Sequence, residues 1–193
     1  MDKYYGGCMK SKSLILLVLF VLFNCTRLSA EKSDDVYKTI KFNRFSINLK
    51  SGWVYSVNPK AETGTDQVRI VSPAGDQVLM INLTNLRSDI NFTEAVMNAS
   101  RNMVMRAMQN PKLNNCEITG GGSGDVLWGR KGLVTSFDFV ERIDDNNSKL
   151  MMKLYNMGEI IDKKKWVLFI TAFLESNNET EIENIVKSIV IFD

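Results

Sequence analysis

The residue types able to carry chemistry in this chain are few, and the most versatile is missing. Its 193 residues include no histidine. A Ser-His-Asp triad, a Cys-His dyad and the common histidine-containing zinc sites are therefore impossible. Any general base must be a carboxylate or a lysine whose pKa burial has moved far from its usual value. The cysteines are Cys8, Cys25 and Cys116. The first two fall in a leading segment that reads as an export signal, which leaves Cys116 without an internal disulfide partner. Nothing basic surrounds Cys116 in Asn114-Asn-Cys-Glu117, and it reads as an inert or semi-buried thiol.

Other constellations fail on their own geometry. Gly120-Gly-Gly-Ser-Gly124 has the glycines of a phosphate loop, but no Gly-Lys-Ser/Thr and no helical pattern follow, so it reads as a flexible strand connection. Ser123 is no nucleophile elbow, because Asp125 stands where the closing glycine belongs. Counting from Asp144, Asp144-Asp-Asn-Asn147 puts Lys149 and Tyr155 where a calcium loop needs Gly and Glu, and it reads as a solvated turn. Asp138 and Glu141 have odd separation on one strand and point to opposite faces. Lys163, Lys164 and Lys165 read as a solubilising hairpin tip, since lipid-binding clusters usually hold four or more. Met97, Met103, Met105, Met108, Met151, Met152 and Met157 read as adaptable core filling, with a soft binding groove as the alternative. Asn-x-Ser/Thr sequons stand at Asn82, Asn91, Asn98, Asn146 and Asn178, the first in a strand expected to be buried. The sequence thus offers no catalytic, cofactor-binding or metal-ligating residue.

The first thirty residues carry an address. A basic stretch precedes an unbroken apolar run of ten, Leu14 to Phe23, which suits a signal segment and is short for a membrane span. Cleavage after Ala30 in Arg27-Leu-Ser-Ala30 is the leading expectation, although Leu28 fits the −3 position poorly. Leu22-Phe-Asn-Cys25 resembles a bacterial lipobox and makes Cys25 the candidate lipidation site, although Asn24 is not the usual small residue. A retained membrane anchor is the third reading. Membrane association follows only if Cys25 is lipidated or the segment is kept. Without residues 1–30 the chain keeps 20 basic and 21 acidic side chains, a balance that gives no reason to expect nucleic acid as a partner.

What remains, residues 31–193, is expected to form a single globular domain with no cofactor. Strands are predicted at 37–42, at 45–49 with Phe45, Ile47 and Leu49 on one face, and at 53–57, 67–72 and 78–83. The period then changes. Asn91-Phe-Thr-Glu94 is a capping-box-like start, followed by Phe92, Val96, Ala99, Met103 and Ala107 at helical spacing, which predicts a helix over 92–109. Strands resume at 117–120, 126–128, 133–142, 150–157 and 166–173, with hairpin turns at 144–147 and 162–165. Asn178-Glu-Thr-Glu181 is again capping-box-like, and Ile182, Ile185, Val186 and Ile189 form one apolar stripe, predicting a helix over 180–189 and an apolar tail. Strands, helix, strands, helix, joined by tight turns, define an α+β protein with an antiparallel sheet covered by helices.

This order resembles the PsbP/DcrB-type family. The features that carry the resemblance are Phe45-Ser-Ile-Asn-Leu49 leading to Gly52-Trp53, the helix starting at Phe92, the run Trp166-Val-Leu-Phe-Ile-Thr171 and the ending Ile185-Val-Lys-Ser-Ile189. The resemblance spans nearly the whole chain after the signal. It implies an α/β/α sandwich around a central antiparallel sheet and an envelope address. Family roles include a photosystem accessory subunit, envelope lipoproteins and a nuclear GTPase-binding protein, with no shared catalytic residues to carry over. The expectation is an exported, non-enzymatic envelope protein that binds or supports an unidentified envelope protein. The alternative is a small-molecule or lipid carrier with its ligand between helix and sheet.

Overall fold

A computed structural model describes residues 36–58, 66–85, 91–161, 166–175 and 178–192. The signal segment with Cys8 and Cys25, and the hairpin tip with its three lysines, lie outside the described residues. The chain runs β1 (Tyr37–Lys41), β2 (Phe45–Lys50), β3 (Val54–Val57), β4 (Asp66–Val71), β5 (Gln77–Asn85) and α1 (Phe92–Met108). After a 3-10 turn at Pro111–Leu113 come β6 (Cys116–Leu127), β7 (Arg130–Arg142), β8 (Ser148–Ile161), β9 (Trp166–Leu174), α2 (Thr180–Lys187) and β10 (Val190–Ile191).

The strands make two antiparallel sheets where one was expected. β1, β2 and β10 form a three-stranded sheet; the other seven are ordered β3-β4-β5-β9-β8-β7-β6. The parting point is the turn at Ser51-Gly52. Gly52 takes φ +88°, which favours glycine, and a Cβ there would stand 3.2 Å from the Pro73 ring of the β4–β5 turn; after this turn the chain enters the larger sheet. The apolar tail is itself a strand: Val190 and Ile191 pair with Ser46 and Phe45.

Two apolar clusters lie on opposite faces of the large sheet. On one, Ile182, Ile185 and Val186 of α2 meet Phe45, Ile47 and Leu49 of β2 and the inward rows of β4, β5 and β9. Burying each such side chain contributes about 1.5–3 kcal/mol. On the other face Ala107 of α1 packs with Leu113, Phe139, Met152 and Leu154. Asn91 caps α1 as its sequence predicts, its Oδ1 accepting from Thr93 N at 2.9 Å and Glu94 N at 3.3 Å. The start of α2 differs. Glu179 is the cap residue and makes no side-chain cap bond, because its carboxylate is engaged elsewhere.

α1 seats on the sheet where β8 has no side chain. A Cβ on Gly158 would stand 2.4 Å from Val96 Cγ2 and 3.2 Å from the Phe92 ring. Beside this contact a polar network is buried. Asn156 Nδ2 donates to Ser100 Oγ at 2.8 Å, Thr171 Oγ1 donates to Asn156 Oδ1 at 2.8 Å, and the Ser100 and Thr135 hydroxyls are 2.7 Å apart. Every bond there is matched, which makes burial tolerable and fixes the helix register on the sheet.

Candidate functional site

The Gly120–Gly124 run is not a flexible connection. It lies inside β6, which replaces the two short strands expected at 117–120 and 126–128. Bulges between Thr119 and Gly121 and between Gly124 and Val126 absorb the irregularity, and Gly120 occupies φ +69°, which favours glycine. β6 then turns into β7 through Trp128-Gly129, both at positive φ (+48° and +81°), the two-residue geometry a twisted hairpin requires. Gly129 is at home there. Trp128 is not, and its strained backbone is held by its side chain: the indole N–H donates to Glu179 Oε2 at 3.2 Å and the ring meets Tyr155 edge-on at 5.3 Å.

β6 ends the strand order of the large sheet, so one row of its backbone N–H and C=O groups has no strand partner among the described residues. From Glu117 to Val126 every residue is exposed. Its charged residues are Glu117 and Asp125, both acidic and in no ion pair among the described residues. Among the described residues nothing lies within 4 Å of a Cβ built on Gly124, and at Gly121 the nearest atom is a backbone oxygen at 3.8 Å. Beside the end of this edge lies an open recess lined by Phe92, Leu133 and Ile160, with Asp125 and Lys131 at its rim.

A second concavity lies on the α1 face. α1 covers the β7–β8 half, so β5 alternates between a buried inner row and a half-buried outer row. Between the flank of α1 and that outer row is a groove of about 180 Å³, walled by Met80, Met103 and Phe169. Asn82 and Arg106 also line it, and Asn156 and Thr171 of the buried network lie at its edge.

The groups that sequence reasoning singled out are not brought together. The Cys116 thiol is pushed up, first by partial desolvation and then by the Glu141 carboxylate. Asp144 accepts from the Asn147 side chain and from the Asn146 and Asn147 amides, which hold its carboxyl below the usual range and tie the turn. The β7–β8 register sets Asp138 opposite Lys153 and Glu141 opposite Lys149, on separate rungs. Among the described residues no three Asp, Glu or Cys side chains are grouped to hold a metal ion. Met152 and Met157 are core residues and Met103 packs against the core, but Met97, Met105 and Met108 are exposed, so core filling explains only part of the methionine set. Asn91 and Asn178 use their side-chain oxygens at helix starts, and Asn82 is half-buried in the groove.

The sequence missed one cluster. Glu179 accepts from Tyr155 OH at 2.8 Å and from Trp128, and pairs with Lys153 at 3.4 Å. Desolvation, then the bond to and charge of Glu179, push the Tyr155 phenol far above its ordinary value. The groups come from β7's turn, β8 and α2, and no local pattern links them.

Fold and surface together define an α+β protein with an open strand edge and a helix–sheet groove. No family model and no curated protein matches the chain. Among solved structures it is similar to cyanobacterial PsbP (CyanoP) from Synechocystis, at 11% identity over 87% of this chain and 99% of that one, with a TM-score of 0.48. It is also similar to the Ran-binding protein Mog1p of Saccharomyces cerevisiae, at 8% identity, 83% and 97% coverage and a TM-score of 0.45. LpqN of Mycobacterium tuberculosis, described as involved in cell envelope biogenesis, matches at 13% identity, 82% and 91% coverage and a TM-score of 0.41. A PsbP structure thus stands among the proteins this chain is similar to, in line with the PsbP-like resemblance of its sequence.

Proposed function

We propose that this chain is an exported, PsbP-like α/β/α sandwich without enzymatic activity, which binds another protein by adding that protein's extended segment to the β6 edge. The supporting observation is the edge itself: 12 residues long, exposed from Glu117 to Val126, and without the lysines or proline that commonly blunt such an edge. The other end of the same sheet, β3, offers four residues. Charge selects the partner. A second copy paired antiparallel about Gly121 would set Glu117 opposite Asp125, and like charges directly opposite repel. A segment with lysine or arginine near both ends relieves that and suits the acidic edge. The open space over Gly121 and Gly124 leaves room for its side chains, and the Phe92–Leu133–Ile160 recess would hold an apolar one. The raised Cys116 and Tyr155 groups favour this over nucleophilic chemistry.

The test is a photo-crosslinking residue at Ser123 in the full chain, expressed in its native host. The expected result is one dominant protein adduct, absent when the crosslinker is at Tyr55 in β3 and lost in the Glu117→Lys/Asp125→Lys variant. Adducts of equal strength from both positions, or none, would refute the reading.

A further inference from the structure

We propose that the groove between α1 and the β4–β5–β9 part of the sheet is a binding site for a small amphipathic anion, an acyl chain carrying a carboxylate and a hydroxyl group. This site is separate from the β6 edge and does not depend on it.

Three observations point to that chemistry. The walls are apolar and adaptable: Met80 of β5, Met103 of α1 and Phe169 of β9 all line the groove. At about 180 Å³ the space takes a chain of about six to eight carbons, judged from benzene filling an engineered cavity of about 150 Å³. Next, Asn82 Oδ1 is buried and has no hydrogen-bond partner among the described residues. Its neighbours Asn156 and Thr171 satisfy each other, so Asn82 is the acceptor left for a ligand. Its amide turns about a soft terminal torsion and can accept from a ligand hydroxyl.

The third observation is charge. Arg106, in the last turn of α1, lines the groove and is exposed. Arg69, also exposed, is the register partner of Met80 and so shares its face of the sheet. Among the described residues neither is in an ion pair, and no carboxylate lines the groove. Two unpaired guanidinium groups beside an apolar slot favour an anionic head with its chain inside.

The experiment is NMR of the full chain labelled at methionine methyl groups, with Met80 and Met103 assigned through Met→Leu variants. The probe is 3-hydroxyoctanoate. Saturable shifts of the Met80 and Met103 methyls are expected, with those of exposed Met97 and Met105 unmoved. Arg106→Gln, an exposed change that leaves the core intact, should weaken binding by about tenfold or more. Asn82→Leu should erase the preference for 3-hydroxyoctanoate over octanoate while octanoate still binds. No saturable shift at millimolar probe overturns the proposal. So does octylamine binding as tightly as the acid, or an Arg106→Gln variant that binds undiminished.

Discussion

Replacing Gly158 with alanine should lift α1 off the sheet. The new Cβ would stand 2.4 Å from Val96 Cγ2, where ordinary contact needs 3.4 Å or more. Something must therefore yield by about 1 Å, and neither side can do so freely. Val96 is fully buried, and a β-branched side chain in a helix is held to one rotamer. On the other side is the β8 backbone, paired with both β7 and β9. Overpacking of this kind costs about 1–3 kcal/mol. Gly158 has no positive φ, so alanine loses nothing through its own backbone and recovers about 0.4–1 kcal/mol from the unfolded chain. The net expectation is a loss of about 1–2 kcal/mol, measured by urea denaturation followed by circular dichroism. Val96→Ala removes the clashing methyl. In that background Gly158→Ala should cost less by about 1 kcal/mol, a coupling expected only of residues in contact. A Gly158→Ala protein as stable as the parent, or a cost unchanged by Val96→Ala, would refute this placement of α1.

Two further outcomes test the packing. Tyr155→Phe removes the hydroxyl bonded to Glu179 and should cost about 1 kcal/mol in the same assay, small because the site is partly solvated. Its pH signature has a definite sign. The folded phenol is raised above its ordinary value of 10.0, so the stabilisation is complete below that value and is lost as pH rises above it. Parental stability should fall above pH 10 more steeply than that of the Phe variant; parallel curves would count against the cluster. Ile185→Asp sets a charge into the core beneath α2 and should cost several kcal/mol, and a variant that melts like the parent would contradict that packing.

Much of the fold was legible because it follows from local periodicity. Phe45, Ile47 and Leu49 announce β2, Asn91 announces the start of α1, and Ile182, Ile185 and Val186 announce the buried stripe of α2. The rest depended on contacts distant in sequence. The chain leaves the small sheet at Gly52, where a side chain would meet the ring of Pro73, 21 residues away. The cap residue of α2 is Glu179, with Asn178 Oδ1 accepting from Thr180 N, and Glu181, the other half of the expected box, bonds to Lys50 and Tyr37 of the small sheet. The glycine run suggested a loop because intrinsic preference disfavours glycine in strands, and pairing with β7 overrides that preference. The edge was invisible for the same reason: sequence shows that a strand exists, not which strand ends the sheet. The groove was foreseen only as an alternative, because Asn82 and Arg106 meet through packing alone.

The central claim, that a partner's extended segment completes the sheet at β6, is tested most directly by amide hydrogen exchange. The full chain is compared alone and with a lysine-flanked extended peptide of about nine residues, the span from Glu117 to Asp125. Slower exchange confined to the Glu117–Asp125 stretch, lost when alternate peptide amides are N-methylated, is the result expected. Unchanged exchange in β6, or protection that an N-methylated or glutamate-flanked peptide gives equally well, would contradict it.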